Sequence, residues 1–179
     1  CRLQLVRSLI SNAQTPKSID KLYQMWEKQS HPLLNERDYT RMSYELSLRF
    51  PERHPQILET QRARITNPDR IRQFDFISRA VTPDTLKMDE VFVSLLQAEN
   101  RRIEPWAASA LAYLNHPLRE TYSVKYIRPG LEVLQEVQRT GDIFFPKDWA
   151  SALLGSYRSQ EAYQEVQAFF EVHPDYPSL

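Results

Sequence analysis

Apolar positions recur along this chain at the three-, four- and seven-residue intervals of a helix with one buried face. Ile19, Leu22, Tyr23 and Trp26 form one stripe, and Tyr39, Met42, Leu46 and Phe50 form the next. Met88, Val91, Phe92, Leu95 and Leu96 make the clearest pattern. Trp106, Ala110, Tyr113 and Leu114 follow Glu104-Pro105. Val124, Ile127, Leu131, Leu134 and Val137 run on until Thr140-Gly141, where a glycine can end a helix. Val166, Phe169 and Phe170 close the series before His173-Pro174. Aromatics at this spacing are expected in the core.

Glycine and proline define the segments between these stripes. Only three glycines occur, at 130, 141 and 155, too few for the tight turns of a β-rich fold. The twelve prolines punctuate the chain instead. Asn67-Pro68-Asp69 and Thr82-Pro83-Asp84 each predict an N-cap, a proline at the first helical position and an acid facing the positive end of the helix dipole. The whole predicts an all-α chain of about ten helices, packed as antiparallel neighbours through short loops. Pairs of roughly 35–45 residues point to a right-handed superhelix of the HEAT or armadillo kind, with an irregular helical bundle as the fallback. Residues 1–179 are taken as a single helical domain.

Both ends look like interior sequence. Leu3, Val6, Leu9 and Ile10 already have helical spacing with no capping residue before them, and Pro177-Ser178-Leu179 shows no helix stop. The chain is therefore expected to be part of a longer one. No signal peptide opens it, and no apolar run approaches the ~20 residues of a membrane span. The expectation is a soluble protein without a membrane partner, cytoplasmic or exported.

Charge removes a further class of function. Lys and Arg total 23 against 23 Asp and Glu, whereas nucleic-acid binders draw affinity from a basic excess. The richest basic run carries Arg62, Arg64, Arg70, Arg72 and Arg79 against Asp69 and Asp75, and it reads as a solvated helix face. No nucleic-acid partner is expected.

Catalytic chemistry finds no foothold. The four histidines, at 31, 54, 116 and 173, all precede a proline, which pushes them toward helix boundaries. None has another histidine one turn away, as a helical zinc site requires. Cys1 is the only cysteine, so an internal disulfide is impossible. No nucleophile elbow or glycine-rich phosphate loop occurs. Asp89-Glu90, and Glu161 with Glu165, read as solvated carboxylates. No catalytic residue, metal ligand or cofactor is assigned to this chain. What remains is a binding surface. Arg101 and Arg102, in the loop-like stretch Glu99–Arg102 beside Trp106, are the candidate substrate-binding residues, because arginine next to an aromatic can hold a peptide carboxylate.

Three strings carry a resemblance. Residues 100–119 contain Asn100-Arg101-Arg102-Ile103-Glu104-Pro105-Trp106 and Ala110-Leu111-Ala112-Tyr113-Leu114-Asn115-His116-Pro117-Leu118-Arg119. Residues 134–147 contain Leu134-Gln135-Glu136-Val137-Gln138-Arg139-Thr140-Gly141-Asp142-Ile143-Phe144-Phe145-Pro146-Lys147. The third is Thr60-Gln61-Arg62-Ala63-Arg64-Ile65-Thr66-Asn67-Pro68-Asp69-Arg70. Together they resemble the C-terminal helical region of bacterial aminopeptidase N-type zinc metallopeptidases. The resemblance implies a multidomain parent whose catalytic domain, absent from this chain, holds zinc through H-E-x-x-H and a distal glutamate and carries a G-x-M-E-N strand. It implies that this helical domain closes over that catalytic domain of the same polypeptide and limits which peptide substrates enter. None of those catalytic motifs occurs here, so none of those residues is carried over. The competing expectation is a free-standing helical-repeat scaffold for protein–protein interaction.

Overall fold

The structure, a computed structural model, describes residues 2–176, all helix and connecting turn with no strand among them. Cys1 and the Pro177-Ser178-Leu179 ending lie outside the described residues. The helices gather into two compact units, Cys1–Pro83 and Asp84–Leu179, where the sequence suggested one domain over 1–179.

The first unit contains α1 (Arg2–Asn12), α2 (Pro16–Lys28), α3 (Glu36–Arg49), α4 (His54–Arg64) and α5 (Pro68–Ser78), followed by a 3₁₀ turn at Arg79–Val81. Local chemistry fixes their starts. Thr15 and Ser18 form a capping box at α2, Asn35 and Asp38 form another at α3, and the Asn67 side chain accepts from Asp69 N and Arg70 N ahead of Pro68. The core joins Ile10, Ala13, Leu22, Trp26, Tyr39, Met42, Leu46 and Ile57.

Helix α3 is the centre of this unit and touches α1, α2, α4 and the 3₁₀ turn. Its apolar stripe shows only one of its buried sides. Ser43, Tyr44, Glu45 and Ser47, on other faces, are buried as well. Ser43 satisfies its buried hydroxyl on the Thr40 carbonyl at 2.7 Å, within its own helix. Tyr44 stacks on Phe74 at 5.3 Å. The Glu45 carboxylate accepts from Arg49 Nη1 at 2.6 Å, and both side chains are under a tenth exposed.

The second unit contains α6 (Thr85–Leu95), a 3₁₀ turn (Ala98–Arg101), α7 (Glu104–Leu114), α8 (Glu120–Ser123), α9 (Ile127–Glu132), α10 (Leu134–Thr140), α11 (Phe145–Leu154) and α12 (Gln160–Glu171). Asp84, rather than Thr82, caps α6: its carboxylate accepts from Leu86 N at 3.0 Å and Lys87 N at 3.3 Å. Thr82 is extended and buried two residues earlier. The stripe from Val124 to Val137 is buried throughout, but it does not ride on one rod. The chain is broken into α8, a 3₁₀ turn at Val124–Tyr126, α9 and α10. Pro129 lies inside this stretch. It has no amide to donate and its ring crowds the preceding turn, so the helix tightens before it.

Gly130 answers a different need. A Cβ placed there would lie 2.6 Å from Leu153 Cδ1, and the Gly130 carbonyl accepts from Trp149 Nε1 at 3.0 Å. The missing side chain is what admits α11. Gly141 ends α10 in an extended conformation, so it stops the helix without the left-handed cap expected of a glycine. The left-handed cap occurs instead at Gln29, with φ 47°, after α2. Of the closing stripe Val166, Phe169 and Phe170, only Phe169 is fully buried, and Phe170 is 42% exposed.

Candidate functional site

All four histidines lie at helix boundaries. His31 sits in the turn after α2, His54 opens α4, His116 caps the 3₁₀ turn Pro117–Arg119, and His173 follows α12. His116 Nδ1 accepts from Leu118 N at 3.2 Å, and the His173 ring stacks on Phe169 at 4.3 Å. Among the described residues no three His, Cys, Asp or Glu side chains converge as metal ligands. No helix of the described residues is long and apolar enough to cross a membrane.

The basic run of the first unit is largely built into the structure. Arg62 makes a two-pronged pair with Asp75, at 2.6 and 2.9 Å. Arg70 meets Glu36 at 3.0 Å and Arg72 pairs with Asp69. Arg64 donates to the carbonyls of Trp26 and Glu27, each at 3.1 Å, and lies 4.9 Å from the Trp26 ring centroid. It thereby satisfies two carbonyls that end α2. The face is solvated, with Arg62, Arg72 and Arg79 exposed, and through Arg62, Arg64 and Arg70 it also ties helices together.

The candidate residues Arg101, Arg102 and Trp106 fall in three different settings. The stretch Glu99–Arg102 is mostly a 3₁₀ turn rather than a loop. Arg101 is buried at 4% exposure. Its Nη1 donates to Leu95 O at 2.9 Å, its Nη2 pairs with Glu136, and its guanidinium lies 5.4 Å from the Trp149 ring centroid. One side chain thus joins the end of α6 to α10 and α11. Arg102, next in sequence, is exposed. Trp106 is half-buried in the first turn of α7.

Arg101 and Arg102 share the lining of a cleft of about 430 Å³ with Ala98, Glu99, Glu104, Thr140, Gly141 and Phe145. Trp106 does not line it. Glu104 reaches across the cleft wall, its Oε1 accepting from Asp142 N at 3.0 Å. Asp142 Oδ1 in turn accepts from Phe144 N at 2.7 Å and Phe145 N at 2.9 Å. Those backbone amides hold the Asp142 carboxyl below the usual carboxylate range. Asp142, Phe144 and Phe145 pin the loop through their amides, yet it presents Ile143 at 87% and Phe144 at 70% exposure. Arg102 lines the cleft exposed and with no ion pair among the described residues, while Arg101 is paired with Glu136.

Asp89 is the polar centre the sequence concealed. It accepts from Tyr122 Oη at 2.9 Å, Lys125 Nζ at 2.8 Å and Tyr126 Oη at 2.6 Å. Burial raises its carboxyl, but the donors Lys125, Tyr126 and Tyr122 outweigh that and hold it below the usual range. Tyr126, desolvated and bonded to Asp89, is held well above the ordinary phenol range. Arg119, close by, is pulled down to about 10 by burial. The Asp89 side chain remains 36% exposed, a partly solvated carboxylate that also accepts from three donors. Glu90 and Glu161 are exposed as expected, and Glu165 lies 3.5 Å from Arg128. A Tyr at 122 and at 126 with Lys125 between them is a local signal, four residues apart on one helical face. Its partner, more than thirty positions upstream, leaves no such trace.

No protein-family model, curated protein or solved structure matches the chain.

Proposed function

We propose that this chain serves as the C-terminal helical domain of an aminopeptidase N-type zinc metallopeptidase, shaping peptide access to a catalytic domain on the same polypeptide. One observation supports the reading beyond the strings themselves. The segments 100–119 and 134–147, which carry most of the resemblance, face each other in the fold. Arg101 pairs with Glu136, Glu104 accepts from Asp142 N, and both segments line the same cleft. The role is steric and electrostatic. Zinc would activate water in the catalytic domain, and the helical domain would limit which peptides reach it.

A protein-interaction scaffold is the second reading. It is favoured by Ile143 and Phe144, large apolar side chains held out on a hydrogen-bonded loop. Two measurements separate the readings. The coding sequence upstream of Cys1 should contain H-E-x-x-H followed by a distal glutamate. The full natural polypeptide should release p-nitroaniline from alanyl-p-nitroanilide, lose that activity to a chelator and regain it with zinc. A natural polypeptide lacking the motif and the activity leaves the scaffold standing.

A further inference from the structure

The first unit has a cleft of its own, about 390 Å³, between α2 and the end of α3. Pro16, Ile19, Asp20 and Tyr23 come from α2, Arg49 and Phe50 from the end of α3, and Arg53 from the turn that follows. The Tyr23 and Phe50 rings meet edge to face, with centroids 5.9 Å apart and planes at 81°. The Arg53 guanidinium sits in the corner they form, 5.6 Å from one centroid and 5.5 Å from the other.

The two arginines of this cleft are committed to different degrees. Arg49 is spent on the fold: it holds Glu45 and the Ala13 carbonyl and is almost fully buried. Arg53 is 52% exposed, and its acidic neighbour among the described residues is Glu52 at 3.8 Å, itself 64% exposed. Such a pair in water contributes little. Neither the Arg53 guanidinium nor the Tyr23 hydroxyl makes a hydrogen bond among the described residues. Both rings lie within cation–π distance of the guanidinium, which stays about half exposed and can still offer its N–H groups to a ligand. A planar fork held this way suits a carboxylate.

We propose that this cleft binds a small carboxylic acid with an apolar ring or chain. The apolar body lies against Ile19, Tyr23 and Phe50. The carboxylate takes the Arg53 fork, with the Tyr23 hydroxyl as an additional donor. Asp20 also lines the cleft and accepts from Gln24 Nε2 at 2.9 Å; its charge opposes any anion there, a dianion more than a monoanion. The inference is independent of the peptidase reading.

N-acetyl-L-phenylalanine is a suitable probe, with N-acetyl-L-phenylalaninamide as its neutral counterpart. Both are titrated into the purified chain while backbone amide NMR shifts are followed. The expected result is saturable shifts at Tyr23, Phe50 and Arg53 with the acid, at a Kd on the order of 1 mM. The amide should bind about tenfold more weakly, and Arg53→Gln should weaken the acid by a similar factor. Arg53 is exposed, so its replacement should leave the thermal midpoint unchanged. Tyr23→Phe keeps the ring and should give a loss of about twofold to fivefold. Equal binding of acid and amide, equal binding by Arg53→Gln, shifts confined to other residues, or no saturation by about 10 mM would each overturn the proposal.

Discussion

In the first unit, polar groups are taken inside a helix. α3 carries Ser43, Glu45 and Ser47 into the interior, and Glu45 brings its own counter-charge, Arg49, one turn away. A neighbouring network runs from Trp26 Nε1 to Gln61 Oε1 at 2.8 Å and from Gln61 Nε2 to Thr40 Oγ1 at 3.2 Å. In the second unit the polar hubs stand at the joints. Asp89 gathers the residues around the Val124–Tyr126 turn, Glu120 Oε1 accepts from Arg158 N and Ser159 N ahead of α12, and Asp142 steers the entry of α11. The difference follows from chain continuity. A long unbroken helix satisfies its own backbone and can carry polar side chains inward. A chain cut into short helices exposes many unpaired amides and carbonyls, and carboxylates collect where those groups need partners.

The largest effect is expected from Trp149→Ala in the second unit. It removes a fully buried ring, leaves the Gly130 carbonyl without its indole donor and strips the aromatic face from Arg101. The loss should be about 4 kcal/mol. In a denaturant melt followed by hydrogen exchange, protection should fall across α7, α9 and α11. Loss of protection in α3 alone would contradict the assignment of Trp149 to this core.

Glu45→Ala should cost the first unit about 3 kcal/mol, because it leaves the buried Arg49 without its counter-charge. Glu45→Leu with Arg49→Met should recover most of that loss, measured as the midpoint of urea unfolding. A double variant as weak as the single one would show that the pair is needed for more than mutual neutralisation.

Acid should separate the units more gently. Asp89, Glu120 and Asp142 in the second unit, and Asp38 in the first, all titrate below their ordinary range. A carboxyl depressed on folding adds stability above its unfolded pKa of about 4, and that stability is lost as pH falls through the lower folded value. Between pH 5 and pH 2, exchange protection should decline more steeply in residues 84–176 than in 2–83. A steeper decline in the first unit would reverse the comparison. The smallest effect is a gain. Gln29→Gly relieves a left-handed backbone at the end of α2 and should stabilise the first unit by about 0.5–1 kcal/mol in thermal melts.

Helices with a single buried face were legible in the sequence, as the stripes of α2, α6 and α7 show. Helix α3 was legible on one side only, because Ser43, Glu45 and Ser47 read as surface until their neighbours are known. The break near Pro129 was written in the chain, but a continuous apolar stripe outweighed one proline. At Thr82-Pro83-Asp84 the helix starts at Thr85, so Asp84, directly before it, takes the amides. Of the three residues singled out, Arg101 and Arg102 share the lining of one cleft and Trp106 does not. That Arg101 is buried depends on Glu136, thirty-five positions away, and on Trp149. A partner at that distance leaves no periodic or local signature.

The absent side chain at position 130 makes two distant positions interdependent. With Leu153 less than a carbon–carbon contact away from any added methyl, alanine at 130 should be damaging alone and tolerated when 153 is reduced to valine or alanine. In a library of paired variants these two sites should show strong sign epistasis, so the route by which this sequence can diversify passes through them together.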